Sequence, residues 1–130
     1  MRNKILLLLS AEIVLAAALQ TYLYYFVSPE TLVLNDKFVF GFFGTNNAAI
    51  LVLSLGLAFF FTLQFRLKNW LMIISAILIN AGILSNLFDR LFRAGAADYI
   101  SIGRWPTFNL ADVFIVVGVV VMASVKTNKI

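Results

Sequence analysis

The chain contains no cysteine and no histidine, and only 12% of its 130 residues are charged. The missing cysteines exclude a disulfide framework and a thiolate metal site. Without histidine as well, imidazole metal cages and His- or Cys-based nucleophile systems are excluded too. Any catalysis therefore falls to carboxylates, hydroxyls, lysine or arginine. A water-soluble domain carries about 25% charged residues, so half that share leaves most of this surface facing something other than water. What is present instead is apolar: 62% of the residues are hydrophobic and the mean hydropathy is +0.98, which rules out a disordered segment. The composition is that of an integral membrane protein. Its net charge of +4 comes from basic residues scattered between apolar blocks, which reads as a topology signal rather than a nucleic-acid surface. No metal, no cofactor and no nucleic-acid partner are expected.

A bilayer core about 30 Å thick needs roughly 20 apolar residues at 1.5 Å rise. Four stretches come near that length, at about 5–27, 48–65, 70–88 and 108–125. Short connections predict one all-α membrane domain over 1–130, with outer segments 28–47 and 89–107. Met1-Arg2-Asn3-Lys4 and Ala16-Ala17-Ala18 give the first stretch the look of a secretory leader. Glu12, the continuation of the run to Val27 and the aromatic belt of Tyr22, Tyr24 and Tyr25 favour a retained span. With the N-terminus inside, Arg2, Lys4, Arg66, Lys68, Lys126 and Lys129 are cytoplasmic, against Lys37, Arg90, Arg93 and Arg104 outside. The six-to-four bias puts both termini in the cytoplasm. The 28–47 segment, rich in β-branched and aromatic residues around Asn35, predicts a short extended ribbon at the outer surface.

Half of the six acidic residues fall between positions 89 and 112. Asn86, Asp89 and Arg90 are spaced i, i+3, i+4 and share one helix face, and Asn109 and Asp112 make a second polar face at i, i+3. Asp98 lies in the connection. Asp89, Arg90 and Asp98 could be ordinary interfacial ion pairs, which contribute only about 0–1 kcal/mol. Asp112, inside the apolar run Leu110 to Val117, is harder to read that way, because a carboxylate in the bilayer is costly and marks a candidate site. Two carboxylates brought together in a low dielectric share a proton, so one can act as base on a water while the other polarises a carbonyl. Asp98 and Asp112 are candidates for that pair, since Gly103 and Pro106 between them let the chain fold back.

Three ordered blocks carry a resemblance. Asn86-Leu87-Phe88-Asp89-Arg90, Ala97-Asp98-Tyr99-Ile100 and Trp105-Pro106-Thr107-Phe108-Asn109-Leu110-Ala111-Asp112 closely resemble the signature blocks of the lipoprotein signal peptidase family, also called signal peptidase II. The resemblance implies an aspartic endopeptidase of the bacterial cytoplasmic membrane. Such an enzyme cuts prolipoproteins just before their diacylglyceryl-modified cysteine and is inhibited by globomycin. It implies a catalytic pair at Asp98 and Asp112, with Asn86, Asp89, Arg90 and Asn109 as supporting or substrate-contacting residues. Asn35-Asp36-Lys37-Phe38-Val39-Phe40-Gly41 is similar to a further family block, with Lys37 in place of a glycine, and implies a substrate contact at Asn35. The partners implied are a prolipoprotein substrate and membrane lipid, and the chain is expected to be a monomer. One departure stands out. The family's Asp-Gln-x-x-Lys block aligns with Leu19-Gln20-Thr21-Tyr22-Leu23, which lacks both the acid and the lysine, so the resemblance implies a divergent member.

Two readings from other classes compete. Glu12 in an apolar helix would suit a small four-helix transporter coupled to protons, although a carboxyl hydrogen-bonded within the bundle explains it as well. A non-catalytic assembly subunit is the other, and retention of both aspartates argues against it. Phe59-Phe60-Phe61 reads as packing or lipid contact, and Asn80 as an interhelical hydrogen bond.

Overall fold

A computed structural model of the protein describes residues 2–35, 69–93 and 95–125. Helix α1 is Arg2–Phe26, and α2 is Trp70–Arg93. Helix α3 is Leu110–Ser124. Two short strands, β1 Val33–Asn35 and β2 Ala96–Asp98, complete the elements together with a 3-10 turn at Pro29–Thr31. The expected second stretch at 48–65, with Phe59-Phe60-Phe61, lies outside the described residues, as do Lys37, Arg66, Lys68, Lys126 and Lys129.

Helix α1 stops where Ser28 precedes Pro29, because the proline ring disfavours helical geometry in the residue before it. A 3-10 turn follows, in which Thr31 donates its N–H to Ser28 O at 3.0 Å. Buried Glu12, Leu19 and Leu23 are spaced i, i+7, i+11, so they form one stripe on α1. Among the described residues α1 and α2 are long and apolar enough to cross a membrane. Helix α3 has 15 residues, about 22 Å at 1.5 Å rise, and is shorter than the 108–125 stretch expected. Its start is set by the cap at Asn109, and residues 106–108 are non-helical. Conversely α2 runs on to Arg93, so Asp89 and Arg90 sit on the helix and not in the outer segment 89–107.

Among the described elements α2 and α3 make the most extensive interface, and glycine is the reason they approach so closely. A Cβ on Gly82 would lie 2.5 Å from Ala111 O and 2.6 Å from Ile115 Cγ1. One on Gly118 would lie 2.6 Å from Ile79 Cγ1 and 2.8 Å from Ser75 O. Small residues that let backbones touch are the usual way apolar helices associate where lipid offers no hydrophobic drive. Gly82 stands one turn below Asn86, and Ala111 adjoins Asp112, so this contact brings the two polar faces together.

The expected extended ribbon is present at 33–35. β1 and β2 pair antiparallel in the register Val33↔Asp98, Leu34↔Ala97, Asn35↔Ala96. The Asn35 side chain falls outside the described part. Asp98, expected in a loop, therefore ends a strand. The chain then returns: Tyr99 and Ile100 donate their N–H groups to Phe108 O at 2.9 and 2.8 Å, and Phe108 donates back to Ile100 O at 3.0 Å. Gly103, at φ 52°, supplies the left-handed residue this reversal uses. The fold-back delivers Asn109 beside Asp98.

Candidate active site

The first turn of α3 is built by a reciprocal cap. Asn109 is extended at φ −132°, ψ 174°, and its Oδ1 accepts the Asp112 N–H at 2.9 Å, while Asp112 Oδ2 accepts the Asn109 N–H at 3.1 Å. Such a box satisfies two of the amides that every helix start leaves unpaired, and the Asp112 carboxylate also complements the positive end of the helix dipole. Leu110 donates a further amide to Tyr99 Oη at 3.1 Å. Burial pushes the Tyr99 phenol above the ordinary tyrosine range, with Tyr22, Asp89 and Asp112 nearby adding to the effect against the Leu110 hydrogen bond.

Because the cap uses Asn109 Oδ1, the orientation of its amide is determined, and Nδ2 must face the rest of the cluster. It donates to Asp98 Oδ1 and to Asn86 Oδ1, both at 2.9 Å. Asn86 in turn donates Nδ2 to Asp112 Oδ1 at 2.9 Å. Asp98 and Asp112 are thus tied to one residue, Asn109, which meets the first through its side chain and the second through its backbone. Asp98 is 3% exposed and Asn109 likewise 3%, whereas Asp112 is only partly buried. The arrangement holds two carboxyl groups in one network, one buried and one partly exposed.

Asp89 is placed differently. It is 2% exposed, and its Oδ2 accepts the Ala97 N–H at 3.1 Å, so it anchors the strand that carries Asp98. Its Oδ1 accepts Gln20 Nε2 at 2.9 Å. Arg93 Nε stands 3.4 Å from the same oxygen, an ion pair whose N–H is not aligned for a hydrogen bond. The Arg90 charge acts on both Asp89 and Asp112. Of the candidate residues, Asn86, Asp98, Asn109 and Asp112 are joined by direct hydrogen bonds, Asp89 reaches them through β2, and Arg90 through its charge. Asn35 touches the same strand by pairing with Ala96.

Three residues not singled out from the sequence line this region: Gln20, Ser85 and Tyr99 border a small pocket with Asp89, Ala97 and Asn109. It has room for about one water molecule. Gln20 was visible in the sequence as a polar residue within an apolar helix, eight positions after Glu12. Tyr99 stands inside the second ordered block, whereas Ser85 has no comparable signal. Glu12 itself lies elsewhere, its Oε1 accepting Asn80 Nδ2 at 2.9 Å, which is the interhelical bond expected of Asn80.

Comparison with known proteins supplies a family. A family model described as Signal peptidase (SPase) II matches residues 12–126. The chain belongs to the signal peptidase II family. The lipoprotein signal peptidase of Borreliella afzelii is 40% identical over 73 residues, covering 49% of this chain and 43% of that protein. That of Desulfitobacterium hafniense is 48% identical over 59 residues, covering 43% of this chain and 39% of the relative. The matched region thus spans less than half the length of these curated relatives. Among solved structures, a bacterial membrane enzyme determined in meso at 2.3 Å is similar, with TM-score 0.72 and 18% identity over 95% of this chain and 93% of that one. A second, at 1.9 Å, gives TM-score 0.71 and 19% identity over 89% of each chain. These likenesses show a fold shared with bacterial membrane enzymes over most of the chain.

Proposed function

We propose that this signal peptidase II family member is an intramembrane aspartic endopeptidase that removes signal peptides from diacylglyceryl-modified prolipoproteins, cutting before the lipidated cysteine. The observation that carries the reading is the bridging of Asp98 and Asp112 by Asn109, together with Asn86 on Asp112. Family membership and the names of the curated relatives support the substrate class. The chain is read as one four-span domain in the bacterial cytoplasmic membrane, with both termini inside and the site at the outer face, as the basic-residue bias and the outer ribbon suggest.

In this mechanism the acyl chains stay in lipid and the scissile peptide lies across the open side of Asp112. One carboxylate takes a proton from a water as its oxygen attacks the scissile carbonyl carbon, and the other, protonated, gives its proton to the carbonyl oxygen. The resulting diol collapses as the C–N bond breaks. The amine of the lipidated cysteine leaves with a proton from the first carboxyl group, and the second takes one back from the diol hydroxyl. Asn109 and Asn86 hold both acids without being consumed, so no reorganisation is needed as charge develops. Arg90 steadies the negative charge of the pair, and Asn35, at the end of β1, contacts the substrate.

Purified, detergent-solubilised protein should cleave a diacylglyceryl-modified prolipoprotein just before the cysteine, and both globomycin and Asp112→Asn should abolish this. Failure of the well-folded protein on several such substrates would overturn the reading. Cleavage that depends on Glu12 and is indifferent to Asp98 and Asp112 would do the same.

A further inference from the structure

Helix α1 contributes a polar residue to the region around the two aspartates, the glutamine of the divergent helix-one block. Gln20 donates its Nε2 to Asp89 Oδ1 at 2.9 Å, to Ser85 Oγ at 2.9 Å and to Ser85 O at 3.1 Å. With two hydrogens facing three acceptors, the amide cannot be reversed, since its oxygen would then meet a carboxylate and a carbonyl. Asp89 passes this constraint on. Its other oxygen holds the N–H of Ala97, a residue with no exposed surface, and Ala97 immediately precedes Asp98 in β2.

We infer that Gln20 is a positioning residue for Asp98, acting through Asp89 and the Ala97 amide. The inference rests on the reading of Asp98 as a catalytic acid. Without the Gln20 donor, Asp89 Oδ1 keeps the misaligned Arg93 as its neighbour, and the carboxylate is free to turn toward that guanidinium. The Ala97 N–H then loses its acceptor, β2 loosens on the side away from β1, and the Asp98 carboxyl shifts relative to Asn109. A displacement well under 1 Å is enough to slow a step that depends on two aligned acids, because near-attack geometry is lost steeply with distance. The effect belongs in the chemical step and not in substrate binding, since Gln20 reaches the acids only through the strand. It also gives the divergent helix-one block a role: the chain lacks the acid and the lysine there but retains the glutamine that reaches Asp89.

The test combines kinetics with amide exchange on the full chain in detergent. Gln20→Met keeps the side-chain length and removes the donor. It should lower kcat about tenfold with KM within about twofold, and it should raise the exchange rate of the Ala97 amide about tenfold, because opening at β2 becomes easier. In an Asp89→Ala background the same substitution should have no further effect on kcat, as expected of residues acting in one chain of contacts. Thr21→Val, on the same helix and bonded to Ala17 O, serves as the control and should change neither reading. Unchanged Ala97 exchange in Gln20→Met would overturn the coupling. Losses that add fully to those of Asp89→Ala, or that appear in KM, would overturn the positioning role. A wild-type chain that cleaves nothing overturns the peptidase reading, and the catalytic half of this inference with it, while the exchange arm separately decides whether Gln20 holds β2.

Discussion

Among the described residues, two of the polar groupings in this apolar chain are satisfied in different ways. Glu12 and Asn80 meet within the bodies of α1 and α2, with 2% and no exposure respectively. Asn86, Asp98, Asn109 and Asp112 meet where one helix, a strand and the start of another helix converge, and Asp112 there is partly exposed. The first grouping joins two helices and admits nothing. The second uses a helix start and a strand, whose backbone groups need partners in any case, and so holds its acids in place while one side stays open. Burial of a carboxyl is therefore a poor sign of chemistry by itself. What distinguishes the second grouping is the number of elements that fix it and the access that remains.

The sharpest way to break this contrast is to substitute the acids. Asp112→Asn and Asp98→Asn should each lower prolipoprotein cleavage by about 10³-fold, the scale of losing a general acid or base, while membrane insertion and thermal unfolding in detergent stay close to wild type. Retained activity in either would remove that residue from the pair. Asn109→Ala comes next. It removes the helix cap, worth about 1 kcal/mol, and the tie to Asp98, and a drop in kcat of about 10²-fold is expected from misalignment of the acids. If the melting temperature falls but kcat does not, Asn109 is only a cap. Gly82→Ala probes the contact beneath the cluster. Its methyl would collide with backbone Ala111 O, which cannot rotate away, so α2 and α3 must separate, at about 1–3 kcal/mol and about tenfold in kcat. Glu12→Gln should have the smallest effect, since its amide oxygen still accepts from Asn80, and activity should remain within about twofold of wild type. Glu12→Leu should cost about 0.6–2 kcal/mol of stability and leave kcat in the same range. Loss of all cleavage in Glu12→Gln would erase the distinction between the two groupings.

The helical i, i+3 spacing of Asn86 with Asp89 and of Asn109 with Asp112 made the two polar faces legible in the sequence, as did the apolar setting of Asp112. The extended character of residues 33–35 was legible for the same reason: β-branched and aromatic residues favour it locally. Three features were not legible. Asp98 was read into a loop, because Ala96-Ala97-Asp98 has no strand pattern of its own and becomes a strand by pairing with β1 more than 60 residues earlier. Asp89 lies past the expected end of the third apolar stretch at 88, yet α2 continues through Arg93, since no proline or glycine interrupts the chain before Gly95. Gln20 passed as a remnant of a lost block because its partners, Ser85 and Asp89, are 65 and 69 residues away.

By itself the sequence determined the apolar character, the helical i, i+3 spacing of the two polar faces and the ordered blocks that carry the family resemblance. All of these depend on composition or on neighbours within a turn or two. Only the tertiary structure decided which acid is deep and which is open, that Asn109 bridges Asp98 and Asp112, that Asp89 serves the strand and not the pair directly, and that Gln20 reaches Asp89. These are contacts between different elements, 8 to 69 residues apart along the chain, and how closely the α2 and α3 backbones approach at Gly82 and Gly118 decides whether Asn86 and Asp112 meet. That distance is set by packing, and no local preference encodes it.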